Sequence, residues 1–348
     1  MRPNRFPLVR RLRREKKQGN RRVVLLYHRI GRFRPDPQLL SVTPEHFAEH
    51  LEVIAEEYVP VRLADLAGAD REAGAPARAL AVTFDDGYAD NLDSAKRLLE
   101  RSGLPATVFV TSGYVRRGRP FWWDELERLL LRPGSLPGAL TLEVEGETLR
   151  WELGVDSEYT PARFAKRVGW NVLERRDPGP RQRIYRELCA RLRVLDDPAR
   201  EAVLAELRSV ASIADTAETE LPRPLTVGEL RRLAEGGLIE IGAHSVTHPV
   251  LAHLRPHEQR AEVEGSKDEL EAVLARPVTS FAYPYGTQAD FDETTVRLVR
   301  GAGFRHAWTS TPGGIDGEAD PLRLPRLVVR DWSGDCLARR LSAIEAWA

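Results

Sequence analysis

Two adjacent carboxylates close an apolar run in Ala81-Val82-Thr83-Phe84-Asp85-Asp86-Gly87, and the glycine behind them lets the chain turn away. Far downstream, Leu238-Ile239-Glu240-Ile241-Gly242-Ala243 ends in the same manner at His244-Ser245-Val246-Thr247-His248, with its two imidazoles four residues apart. One Asp and two His form a donor set for a divalent cation; the other Asp is left over as a base, and the combination describes metal-assisted hydrolysis. A polar turn is the plainer reading of Asp85-Asp86, because Asp and Gly favour turns. Yet two carboxylates at the end of an apolar strand repel one another and lose hydration, a cost that a cation relieves and a turn does not require. An EF-hand loop does not fit, since Asp85, Asp86, Asp90, Asn91 and Asp93 lack its spacing and its terminal Glu.

His-x3-His is a weak signal alone, and context separates the three copies in this chain. His46 and His50 lie beside the apolar stripe of an expected helix, and His253 and His257 straddle Pro256 at a helix start. Only His244 and His248 follow a strand-like run, where ligands on an α/β barrel belong.

The elements that must carry these groups are legible as seven β-type runs: Val23 to Tyr27, Leu80 to Phe84, Thr107 to Val110, Leu238 to Ile241, Thr279 to Tyr283, Arg305 to Thr309 and Leu324 to Val329. Helical periodicity alternates with them. Thr43-Pro44-Glu45 opens a helix with Phe47, Leu51 and Ile54 on one face, Asn91 to Arg101 ends before Gly103, Pro256 opens another, and Glu293 to Arg300 ends near Gly301. Repeated strand and helix mean a mostly parallel sheet, closed or nearly closed into a barrel. The stretch of residues 114–224 exceeds any ordinary crossover and reads as an insertion. Within it Leu140 to Val144 and Thr148 to Leu153 form an expected hairpin about Glu145-Gly146-Glu147, and Pro161 to Leu173, Arg181 to Leu192 and Pro198 to Val210 form three expected helices. The insertion either caps the barrel mouth or provides a surface remote from the chemistry.

With 52 basic and 52 acidic residues the chain has no global field that favours nucleic acid. Arg2, Arg5, Arg10, Arg11, Arg13, Arg14, Lys16 and Lys17 nevertheless crowd residues 1–21, for which a solvated tail is the plain reading and peripheral contact with an anionic membrane surface the sharper one. Residues 22–348 are expected to be the interrupted barrel. The first apolar run is too short for a signal peptide, no run reaches a membrane span, and two cysteines make no disulfide framework, so the expected compartment is cytoplasmic, including the inner membrane surface.

Thr83-Phe84-Asp85-Asp86-Gly87 and His244-Ser245-Val246-Thr247-His248 together resemble the first two motifs of the polysaccharide deacetylases, the NodB-like carbohydrate esterase family 4. The likeness covers about Val23 to Gly113 and Leu225 to Val329, and neither the tail nor the insertion. It implies an α/β fold of the distorted (β/α)7 barrel type, here with a mainly helical insertion containing a β-hairpin. It also implies a metal that is usually zinc, with other divalent transition metals open, and removal of the acetyl group from an N-acetylated amino sugar, expected here in a glycan or glycolipid precursor. By the same resemblance Asp85 is the catalytic base, and Asp86, His244 and His248 are the ligands.

The family's third motif, Arg-x-Pro followed by Tyr or Phe, aligns with Ala282-Tyr283-Pro284-Tyr285-Gly286. Pro284 and Tyr285 are present, and the backbone N–H near Tyr285 is available to an oxyanion, but the arginine that orients the base is missing. Arg326 in the seventh run is the candidate replacement. Asp331-Trp332 matches a later motif loosely, and no Leu-x-His follows to supply an acid. His28, at the end of the first run, is the candidate acid, acting as an imidazolium toward the departing amine; a structural hydrogen bond is its plainer role. Trp123, with Trp122 and Asp124, is the candidate sugar contact, with core packing as the alternative. Three other functions compete: a same-fold amidase or deformylase, a non-haem Fe(II) oxygenase using the same two His and carboxylate, and an inactive carbohydrate-binding barrel.

Overall fold

The computed structural model describes residues 22–68, 78–213, 222–315 and 319–347, so the basic tail of residues 1–21 and its expected membrane contact lie outside the described residues. Seven parallel strands make the central sheet: β1 (Arg22–Tyr27), β2 (Ala79–Phe84), β3 (Ala106–Val110), β4 (Ile239–Ala243), β5 (Ser280–Ala282), β6 (His306–Trp308) and β7 (Leu327–Val328). Their order is β6-β5-β4-β3-β2-β1-β7. Between β6 and β7 the described residues form no ladder, only one bridge from Trp308 to Leu324, and this open seam is the distortion of the expected (β/α)7 barrel.

Each expected run overlaps a strand, and the larger differences have local causes. The seventh run shrinks to two residues because Pro325 has no N–H to give a ladder. A short strand, Val59–Pro60, was not expected; it fills the edge of β2 at Ala79 and Leu80, before the β2–β3 ladder begins at Val82. All residues of β1, β2 and β3 are buried, as in a sheet covered on both faces, which is why these runs read as continuously apolar rather than alternating.

Helix α1 (Pro44–Glu57) starts at Thr43, whose side chain accepts from the His46 N–H, and it buries Phe47, Leu51 and Ile54. Its histidines have structural partners. His50 lies 3.2 Å from the Tyr27 hydroxyl and 2.7 Å from the Trp332 carbonyl, and His46 lies 2.7 Å from Asp331. Asn91 opens a wide π turn, Asn91–Ala95, before α2 (Lys96–Ser102), which ends on Gly103 at φ 66°.

Between β3 and β4 the chain builds a second core from α3 (Trp122–Leu131), the hairpin Ala139–Val144 with Glu147–Glu152, α4 (Pro180–Leu192) and α5 (Asp197–Val210). The hairpin and the last two helices match expectation, whereas α3 was not foreseen. The expected helix from Pro161 to Leu173 stops at Arg167, because Gly169 follows and Leu173 is 71% exposed rather than part of a buried stripe. No helix among the described residues is long and apolar enough to cross a membrane.

Arg181 holds this second core together. Buried at the start of α4, it donates to the carbonyls of Asp156, Leu130, Gly134 and Ser157, and burial pulls its guanidinium down to about 10. Arg181→Met keeps the bulk but strands those carbonyls, so it should cost about 2–4 kcal/mol. Denaturant unfolding should find the loss, and limited proteolysis should open the insertion before the barrel.

Candidate metal centre

Apart from Arg326, which precedes β7, every residue singled out for chemistry in the barrel lies at or just beyond the C-terminal end of a strand, the edge where α/β barrels gather their sites. His28 follows β1, Asp85 and Asp86 follow β2, His244 and His248 follow β4, Tyr285 follows β5, and all six line one cavity of about 460 Å³. Trp122, Trp123, Val172, Cys189, Ala190 and Arg193 bring the insertion to the same cavity. Its interior wall is thus shared between the two cores.

Asp86, His244 and His248 are buried, and one ligand atom from each lies within 4.8 Å of the other two. Asp86 Oδ1 stands 3.6 Å from His244 Nε2 and 3.5 Å from His248 Nε2. Donors about 2.1 Å from one tetrahedral ion stand about 3.4 Å apart, so these spacings suit a shared cation. The same Asp86 oxygen is buried without a hydrogen-bond partner, which a cation would satisfy. Burial, then the Asp85 charge and Asp124, hold the Asp86 carboxyl well above the usual range. Burial pushes both imidazoles down, with His244 adding to the effect at His248, so their ring nitrogens keep the lone pairs that coordination needs.

The backbone is bent to present these groups. Asp86, Ser245, His248 and Tyr285 adopt φ of 74°, 61°, 57° and 60°, a region that non-glycine residues enter at a cost of about 1 kcal/mol or more each. Several contacts hold the turns there. Glu262 accepts from the N–H groups of Val246 and Thr247 at 2.8 Å each, Ser245 Oγ accepts from the His248 N–H, and His244 Nδ1 lies 2.8 Å from the Ala282 carbonyl. From the insertion, buried Arg200 donates to the carbonyls of Thr247 and His248 and also to those of Leu192 and Arg193. The loop bearing the second histidine is therefore pinned by both cores.

Asp85 is treated differently from its neighbour. Arg326 Nη1 and Nη2 each donate to one Asp85 oxygen at 2.7 Å, while Arg326 Nε donates to the Thr309 carbonyl at 2.9 Å. Burial alone would raise the Asp85 carboxyl, but the Arg326 charge, then His244 and the paired hydrogen bonds, bring it below the ordinary value. The guanidinium missing from the Ala282 position is thus supplied across the barrel from the segment before β7.

The remaining expectations meet mixed outcomes. His28 lines the cavity with a buried, unpartnered Nδ1, but burial pulls its imidazole down to about 3 against the opposing pull of Asp85. Burial thus works against the expected standing imidazolium. Asp124 is not a sugar contact: it accepts from Arg29 at 3.2 Å and from the Tyr88 hydroxyl at 2.7 Å, and burial raises it to about 6. Trp123 reaches the cavity, yet its indole stacks on Phe121 and donates to the Tyr88 hydroxyl, with its ring centre 4.9 Å from that of His248 at an angle of 60°. That face is unavailable to a sugar. Pro284 shapes a turn, its carbonyl accepting from the Gly286 N–H, rather than lining the cavity. Tyr285 packs its ring 4.6 Å from His248, and its backbone N–H takes no acceptor among the described residues.

Arg200, Glu262, Arg193 and Arg330 were not singled out from the sequence. Arg200 had a signal: it stands three, four and seven residues before Val203, Leu204 and Leu207, a cation inside an apolar stripe. Arg193 and Arg330 had none, because surface arginines look the same in sequence.

Residues 72–135 and 207–307 match the family model described as polysaccharide deacetylase. Over 105 residues the chain is 27% identical to YxkH of Bacillus subtilis strain 168, provisionally named a polysaccharide deacetylase; the match covers 30% of this chain and 36% of that protein. In fold, the chain is similar to the Streptococcus pyogenes deacetylase PplD, solved with acetate, at TM-score 0.56 and 17% identity over 92% of this chain and 97% of the other. IcaB from Ammonifex degensii is similar at TM-score 0.54 and 18% identity, over 92% and 97%.

Calorimetric titration with Zn²⁺ should find one tight site in the parent, with stoichiometric binding lost in Asp86→Ala. Arg200→Met, which removes no ligand, should weaken that affinity roughly 10- to 100-fold through the loosened His248 loop.

Proposed function

The chain belongs, through residues 72–135 and 207–307, to the polysaccharide deacetylase family, and from that premise we propose that it is a metal-dependent hydrolase removing the N-acetyl group from an N-acetylated amino sugar. The observation that carries this reading is the division of two adjacent carboxylates: Asp85 held ionised by Arg326, and Asp86 left with an orphaned oxygen facing two neutral imidazoles. A base and a cation site side by side are what amide hydrolysis by water needs. Asp86, His244 and His248 would hold the ion, with zinc suited to this donor set. When bound, such an ion supplies Lewis acidity, making water a better nucleophile near neutral pH and the amide carbonyl a better electrophile.

The protein's own groups do the rest. Asp85 accepts a proton from the attacking water, and the Arg326 fork fixes the carboxylate's orientation while keeping it ionised. The free Tyr285 N–H is a donor for the oxygen on which negative charge develops. Bond cleavage then requires a proton on the sugar nitrogen. The proton Asp85 has taken is the one the nitrogen needs, and neutral His28, which lines the cavity and has an unpartnered Nδ1, is the relay. Negative charge building on the carbonyl oxygen raises the ring's proton affinity at the moment of transfer. The products are acetate and the free amine.

Asp85→Asn should retain the metal and lose about 10²- to 10⁴-fold in acetate release; turnover equal to the parent would refute the base assignment. A second variant tests the fork. Burial raises the Asp85 pKa and Arg326 is the largest influence lowering it, so Arg326→Gln removes the main opposition to burial and the pKa must rise. The acid limb of kcat/KM should accordingly move to higher pH in Arg326→Gln, with an unmoved limb contradicting the assignment.

A further inference from the structure

Arg330 is the one cation lining the cavity that no carboxylate holds among the described residues. Arg186 is paired with Asp177 and Arg193 with Asp290, and Asp85 already has Arg326. Asp36, the acid whose charge reaches Arg330, is occupied by Arg29 at 2.6 Å and by the N–H groups of Leu40 and Ser41. Arg330 spends Nη1 on the carbonyls of Gln38 and Leu39, while Nε and Nη2 have no acceptor among the described residues.

Strand register places this cation beside the reacting groups. Leu26 of β1 pairs with Val328 of β7, so His28 and Arg330, each two residues further on, project from the same face into the same cavity. The closeness is felt electrostatically, as the Arg330 charge works against protonation of His28. A divalent ion on Asp86 would more than cancel the one carboxylate in the wall without a cationic side chain, leaving the cavity positive. Arg193, stacked over the Tyr285 ring at 4.3 Å, adds a second guanidinium to the cavity wall.

We propose that Arg330 is a specificity-determining residue that binds an anionic substituent, a phosphate or carboxylate, carried by the sugar next to its acetamido-bearing carbon. This rests on the deacetylase reading and deepens it: the substrate is an acidic N-acetylamino sugar rather than a neutral one. A half-buried guanidinium that no carboxylate holds, with its Nε–Nη2 edge free, is suited to bidentate capture of such a group.

Calorimetry on the full chain, at fixed low salt, can compare the methyl glycoside of an N-acetylhexosamine with its 1-phosphate and with a 3-O-carboxyalkyl derivative. At least one acidic sugar should bind roughly tenfold or more tightly than the neutral glycoside, and which arm gains identifies phosphate or carboxylate. Arg330→Gln should bring the affinities together, and Arg330→Lys, which keeps the charge, should preserve part of the difference and exclude a loop collapse as the cause. Equal binding of all three sugars by the parent, or a preference that survives in Arg330→Gln, overturns the proposal. Acidic preference without acetate release from the zinc-loaded chain supports it while sinking the deacetylase reading, so the two failures are distinguishable.

Discussion

The site depends on a broken symmetry between two neighbouring carboxylates. Asp85 and Asp86 follow one another in the chain, leave the same strand, and are both buried, so without further help each would be driven toward its neutral form. Arg326 breaks the equivalence by forking onto Asp85 alone. The left-handed turn at Asp86 does the complementary work, swinging the second carboxylate away from the guanidinium and toward His244 and His248. One residue thus sits in a bidentate ion pair, and the other keeps an unpartnered oxygen that faces two imidazoles and suits a cation.

That division explains why the barrel tolerates strain at its C-terminal edge. Left-handed backbone at Asp86, Ser245, His248 and Tyr285 survives only because neighbouring groups over-determine it: Glu262 and Ser245 within the barrel, and Arg200 from the insertion. The insertion is therefore part of the site's scaffold as well as its wall. Trp123 lies against His248, the Tyr88 hydroxyl bridges Trp123 to Asp124, and Asp124 is tied to Arg29 at the end of β1. A continuous set of contacts runs from the first strand, through the insertion, to the second histidine.

Much of this was legible in the sequence where the physics is local. Apolar runs ending abruptly in Asp85-Asp86 or His244 mark strand ends, and the Glu145-Gly146 turn marks a hairpin; each signal lies within a few residues of its consequence. Arg326 was reachable by asking which arginine in a strand-like run could replace the one absent at Ala282. What stayed hidden depends on contacts between distant segments. Trp123 and Asp124 look like a sugar platform in sequence, and only packing reveals that Phe121 covers one and Arg29 claims the other. The charge state of His28 was likewise invisible, because burial, not residue type, decides it. The early end of the helix begun at Pro161 reflects a glycine two residues beyond Arg167, a breaker outweighed in the periodic reading by Val168 and Val172.

The central claim is that a cation occupies Asp86, His244 and His248 while Asp85 stays with Arg326. Anomalous diffraction from zinc-loaded crystals tests it most directly. The account predicts one strong peak about 2.0–2.2 Å from Asp86 Oδ1 and from the Nε2 atoms of both histidines, with the Arg326 fork on Asp85 intact. A peak that recruits Asp85 as a ligand in place of Asp86, or none at this position, would contradict it.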